Sequence, residues 1–207
     1  MTNVDENKNK VLLGASNLFL KFGFKSITMD DIARELGISK KTLYQHFSDK
    51  NELVEQAIDA HLNEEKVACT IICKEQENPI DFMLNISETL SDRKKQINPS
   101  IIFDLKKYFK PCWDKLNKFR VEFIYNEILK NVKRGKASGW YREDVNEELI
   151  AKFYIHLLDL LINPDNNLDH NYNMKELQFE MMKYHLRGIC TDKGLKYFNE
   201  QINKSEK

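Results

Sequence analysis

The chain has 207 residues, with 32 Lys and Arg balanced by 32 Asp and Glu, so its formal net charge is zero. At 42% hydrophobic and 31% charged, with only 7 Gly and 4 Pro, it can bury a sizeable core and is neither disordered nor collagen-like. The greasiest stretch, 154–162, is broken by His156 and Asp159, which excludes a membrane-spanning helix. The opening MTNVDENKNK has no apolar core, and four Cys make no disulfide framework, so the expected location is cytoplasmic.

Periodicity is helical throughout and alternating strand patterns are absent. Val11, Leu12, Ala15, Leu18, Phe19 and Phe22 form one stripe that ends at Gly23, a suitable helix C-terminal residue. Thr28-Met29-Asp30-Asp31 reads as the next helix start, with a capping hydroxyl and two acids beside the positive dipole end. Ile32, Ala33 and Leu36 make its inner face, Gly37 breaks it, and Ser39 caps a third helix, Lys40 to Phe47. Ser48 is expected to cap a fourth, carrying Leu53, Val54, Ala57, Ile58, His61 and Leu62 inward and running to Cys73.

Asn78-Pro79 and Asn98-Pro99 each pair a capping residue with a proline at the first helical position, and Pro111 opens another helix in the same way. One long stripe, Leu116 to Val132, is expected to end at Gly135 and Gly139. Asp144 with Glu147 resembles a capping box before Leu149 to Ile162. After an Asn- and Asp-rich loop, 163–173, a last amphipathic helix begins near Met174. The expected fold is all-α, about nine helices, with a helix-turn-helix domain over 1–52 and a helical bundle over 53–207.

Residues 29–48 have helix-turn-helix spacing. Small Ala33 permits a close crossing, Gly37 supplies the tight turn, and Ile32, Leu36, Ile38 and Leu43 hold the angle. The exposed face of the third helix offers Lys40, Lys41, Thr42, Tyr44, Gln45 and His46 to base edges and phosphates. Helix N-termini near Thr28 and Asp49 add N–H groups, and Lys50 adds a cation beside the latter. The expected DNA-binding set is therefore Thr28, Met29, Ser39, Lys40, Lys41, Thr42, Tyr44, Gln45, His46 and Lys50.

The run from Phe19 through Gly23, Thr28-Met29-Asp30-Asp31-Ile32-Ala33, Gly37 and Leu43-Tyr44-Gln45-His46-Phe47 to Lys50 and Leu53 resembles the N-terminal domain of the TetR family of transcriptional regulators. The match covers roughly residues 8–58. It implies a homodimer that binds a palindromic operator, is most often a repressor, and is released by a small-molecule effector in the C-terminal domain. It also implies dimerisation through helices at about 145–162 and 174–189, with Tyr154, Leu158, Leu161, Leu177, Met181 and Tyr184 as interface candidates.

Candidates for lining an effector pocket are His61, Phe82, Phe103, Tyr108, Trp113, Phe123 and His156. Charge is uneven: residues 91–142 carry net +9 while 1–60 carry −1, which leaves an anionic effector as one possibility beside a lysine-coated surface. His61, Glu65, Cys69 and Cys73 step by four along the fourth helix, yet without a CxxC pair they predict no metal site. No P-loop, GxSxG or HExxH is present, so neither an enzyme nor a cofactor is expected. A reading from another class is a helical sensor or interaction protein with vestigial DNA binding, responding to a partner protein or to thiol oxidation at Cys69 and Cys73.

Overall fold

The computed structural model describes residues 3–75, 78–94, 98, 100–162 and 174–205. Its helices are α1 (Asn3–Phe22), α2 (Met29–Glu35), α3 (Lys40–His46), α4 (Lys50–Glu75), α5 (Pro79–Lys94), α6 (Ser100–Tyr108) and α7 (Lys110–Lys118). A π-helical segment, Phe119–Ile124, leads into α8 (Tyr125–Ala137), followed by α9 (Glu147–Ile162), α10 (Met174–Ile189) and α11 (Asp192–Ser205). The described residues contain one isolated bridge, between Tyr141 and Cys190, and no strand. No helix among them is long and apolar enough to cross a membrane.

Packing divides the chain into two units: residues 1–65 with 94–118, and residues 66–93 with 119–207. The first is built on Ala15, Phe19, Ile32, Leu43, Phe47, Leu53 and Val54, all within 1% of full burial. Phe24 ties this core to α7's approach, its ring 5.0 Å from Phe19 and 5.8 Å from Phe109. The expected boundary at residue 52 had left the 100–118 helices in the second domain. They pack with the first instead, because buried Asp104 of α6 accepts the Lys25 backbone N–H at 2.8 Å, and the Asn98 N–H donates to the Leu20 carbonyl. Gly23 sits in this junction at φ 85°, a conformation that favours glycine.

The second unit buries Ile80, Phe82, Met83, Ile128, Val132, Tyr141, Ala151, Tyr154, Leu158, Met182 and Leu186 in one cluster. A polar lock crosses it. The Tyr141 hydroxyl lies 3.1 Å from the Pro79 carbonyl and 3.0 Å from Asn131 Oδ1, while Asn131 Nδ2 donates to that same carbonyl at 2.9 Å.

Several boundaries differ from those expected. Asp49, not Ser48, caps α4: its Oδ1 accepts the Glu52 N–H at 2.9 Å, while Glu52 reaches back to the Ser48 N–H and hydroxyl. Asn146, not Asp144, caps α9 by accepting the Leu149 N–H at 3.0 Å, and Glu147 turns to Lys136. Gly135 stays helical beneath the Tyr141 ring, and only Gly139, at φ 71°, ends α8. The expected last helix is two, since Thr191 stops one and caps the next, its Oγ1 accepting the Gly194 N–H. The stripe after Pro111 is interrupted by the π-turn, which brings Phe119 and Phe123 into a stack 5.1 Å apart and buries Arg120 against Asp159. Asn78 and Asn98 cap as expected, accepting the Ile80 and Ser100 N–H groups; Pro99 and the 163–173 loop lie outside the described residues.

Candidate nucleic-acid interface

Every local element of the reader has a physical cause. Thr28 Oγ1 accepts the Asp31 N–H at 3.1 Å while Asp31 Oδ2 takes the Thr28 N–H and hydroxyl, a reciprocal box that starts α2. Those hydrogen bonds from Thr28, with Arg34 beside them, hold the Asp31 carboxyl below its usual range. At the other end Gly37, at φ 66°, closes a Schellman turn: Ile38 N–H donates to the Ala33 carbonyl and Gly37 N–H to that of Arg34. Ser39 then starts α3 by accepting the Thr42 N–H at 3.0 Å.

Buried Ile32, Ala33, Leu43 and Phe47 brace α3 from below, leaving Lys40, Lys41, Tyr44 and Gln45 exposed and Thr42 and His46 half-buried. Thr28 and Ser39 are exposed at the caps. Lys40 pairs with Asp30 of α2, which holds its ammonium at the α2–α3 edge. Met29 is different. It shares the inner face of α2 with Ile32 and Ala33 and is buried, so its side chain serves the core rather than the surface. Lys50 also turns inward, its ammonium donating to the Ile27 and Lys25 carbonyls, and burial pushes its pKa below the usual lysine value.

The pattern for bacterial regulatory proteins of the tetR family matches residues 11–57. Over 186 residues the chain is 27% identical to the HTH-type transcriptional regulator YvaF of Bacillus subtilis, covering 88% of this chain and 95% of that one. It is 29% identical over 154 residues to IcaR of Staphylococcus aureus, the negative transcriptional regulator of the biofilm operon icaADBC, covering 71% and 69%. A TetR-family regulator from Agrobacterium tumefaciens shares the fold, with a TM-score of 0.73 at 13% identity over 91% of this chain and 100% of that chain. Residues 11–57 thus carry the DNA-binding region of TetR-family regulators. The relatives that the chain matches are transcriptional regulators.

The remaining candidates are dispersed. Of the expected pocket residues, His61, Phe103, Tyr108 and Trp113 fall in the first unit and Phe82, Phe123 and His156 in the second. His61 is half-buried and pairs with Glu65 at 3.3 Å, Trp113 and Phe82 are buried, and Phe123 is half-buried. Phe103 and Tyr108 are exposed. His156 is exposed too, because the α9 stripe on which it lies faces outward.

Of the expected interface residues, Tyr154, Leu158, Leu161 and Met181 are buried in the chain's own core, so they are not a free surface. Leu177 is half-buried and Tyr184 is 75% exposed. Among the described residues no His, Cys, Asp and Glu are grouped to hold a metal ion. Cys69 is half-buried, and burial raises the thiols of Cys112 and Cys190, the latter to about 12, which makes them poor nucleophiles. The side chain of Cys73 lies outside the described residues.

Sequence reasoning missed one buried histidine. His185 is buried on α10 with Met181, Met182 and Ile189, and its ring meets that of Tyr154 edge to face, the two centres 4.9 Å apart. Its spacing from those apolar residues was the available signal. Burial lowers its pKa from 6.5 to about 4. Between those values the unfolded chain binds a proton that the folded chain refuses, so stability is full above about pH 6.5 and falls as the pH drops towards 4. A series of thermal melts from about pH 7 to about pH 4 should show this loss, and His185→Gln should flatten it. A parallel decline in both proteins would contradict the assignment.

Proposed function

We propose that this chain is a cytoplasmic repressor that binds a palindromic operator as a homodimer and lets go when a small molecule enters its C-terminal domain. The α3 surface carries the reading: Lys41, Tyr44 and Gln45 stand exposed on a short helix whose both ends are capped and whose underside is fully buried. Repression is the role of IcaR, the negative regulator that the chain resembles. Selection of duplexes from a random pool by the full chain is the direct test. Recovery of two inverted half-sites about one helical turn apart supports the reading, and an unenriched pool refutes it.

Dimerisation has support in the second unit. Leu149, Phe153, His156 and Leu160 are spaced by four, three and four residues along α9, and all are exposed. A TetR-type stripe of this kind is suited to face its own copy across a two-fold axis. Phe153, 58% exposed, is the test position. Wild type should sediment at about twice 24.5 kDa and Phe153→Lys near that single mass; a dimer in both removes this face from the interface.

An effector also has support. In the second unit Gln178 Oε1 and His185 Nε2 are buried without a hydrogen-bond partner, while Gln178 Nε2 donates to the Ser87 carbonyl at 3.3 Å. Unmet buried polar atoms are rare in proteins. With His185 neutral, these groups suit an uncharged ligand bearing hydroxyl, carbonyl or amide groups rather than an anion.

A further inference from the structure

The lysine-rich 91–142 segment, which bulk charge alone would assign to DNA and motif analysis would not, divides between the two units, and its first part packs with the reader. There Lys25, Thr28, Met29, Asp30, Tyr44, Lys50, Asn51, Tyr108 and Phe109 line an open groove of about 530 Å³. One wall is the reader's own: Thr28 at the α2 cap, Tyr44 on α3, and Lys50 with Asn51 at the start of α4. The other wall is the corner between α6 and α7, outside the stretch that matches the family.

Two cations gather at this second wall, Lys107 from α6 and Lys25 from the α1–α2 loop, which lies inside the matching stretch. The Lys25 ammonium stands 4.5 Å from the centre of the Tyr108 ring, and that of Lys107 stands 5.4 Å from the same ring and 5.2 Å from Phe103. Two lysines thus flank one exposed aromatic. Among the described residues no carboxylate forms an ion pair with either of them. Lys25 also lies close enough to Lys50 that its charge helps lower the Lys50 pKa, and neighbouring cations held together are relieved by an anion. The groove holds one carboxylate, Asp30, which Lys40 already pairs. Asp104 is buried against the Lys25 backbone N–H, and its charge, with that of Asp31, acts on Lys50 in the opposite sense to Lys25 and less strongly.

We infer that the α6–α7 corner extends the DNA interface, with Lys25, Lys107 and Tyr108 holding the duplex backbone beside the phosphates that Thr28 and Tyr44 reach. This rests on the proposed DNA reading and adds to it a sequence-independent clamp from outside the helix-turn-helix. The partner is double-stranded DNA because the groove is continuous with the reading face, and a phosphate run is the anion that passes both walls.

The test uses the full chain and two labelled duplexes of equal length, one selected by the wild-type protein and one with its sequence scrambled. Lys25→Ala with Lys107→Ala should weaken both complexes by the same factor, on the order of 1,000-fold near physiological salt. It should lower the slope of log affinity against log salt by about 3 to 4 for a dimer, at about 0.9 per lost contact. Lys193→Ala, which removes a lysine similarly placed over the Trp140 ring of the second unit, is the matched control. An unchanged slope in the double variant overturns the clamp, as does an equal drop per lysine in the control, which would mark a diffuse field. Tyr44→Ala should instead erase the preference between the duplexes. If wild type shows no preference, the DNA reading itself fails and the clamp with it. If preference survives and the double variant binds as wild type, only the clamp fails.

Discussion

Gly135→Ala should destabilise the protein by about 3 kcal/mol, at the upper end of what one added methyl does in a packed core. Helix propensity alone predicts the opposite, since alanine in the interior of a helix is favoured over glycine by about 1 kcal/mol. The reversal comes from Tyr141. A Cβ built on Gly135 lies 2.0 Å from Tyr141 Cδ2 and 2.3 Å from Cε2. That ring has no escape: it is fully buried, and its hydroxyl is held between Pro79 and Asn131. A drop in the melting midpoint of about 6 to 12 °C is expected for a chain of this size. Gly139→Ala is the contrast, with nothing within 4 Å and only a φ of 71° to strain, at about 1–2 kcal/mol. A Gly135→Ala midpoint equal to or above wild type would show that the α8 contact is not as tight as described.

Tyr44→Ala combined with Lys40→Ala should reduce specific DNA affinity on the order of 1,000-fold, because a dimer loses each contact twice. Stability should hardly change. Tyr44 is 49% exposed and outside the core, and the Lys40–Asp30 pair is a surface pair whose loss costs little. Removing Lys40 also leaves Asp30 uncompensated beside the phosphates, which adds repulsion. Gel shifts on a duplex selected by wild type give the affinity, and a thermal melt confirms the fold. Unaltered binding would remove α3 as the reader.

The reader was legible because its determinants are close in sequence. Thr28 and Asp31, Ala33 and Ile38, Ser39 and Thr42 satisfy one another within five residues, so residue type and spacing suffice to find them. Even there, the inward turn of Met29 and Lys50 escaped sequence reasoning, since each depends on what lies beneath it. The α9 stripe shows the limit most clearly. Tyr154 and Phe153 are adjacent apolar residues on a helix that is apolar nearly all round, and no periodicity says which is buried. Packing against α10, where His185 meets the Tyr154 ring, puts Tyr154 inside and leaves Phe153 in solvent.

The sequence by itself determined the helical class, the turn at Gly37, the caps at Thr28, Ser39, Asn78 and Asn98, and through them the geometry of the helix-turn-helix. These rest on backbone groups that must find hydrogen bonds locally. Tertiary structure alone decided that α6 and α7 join the reader through Asp104 and Lys25, 79 residues apart. It alone decided that Gly135 makes room for Tyr141 and that His185 rather than His156 is buried. Such choices follow from which apolar faces meet, and burial depends on the partner surface as much as on the residue itself.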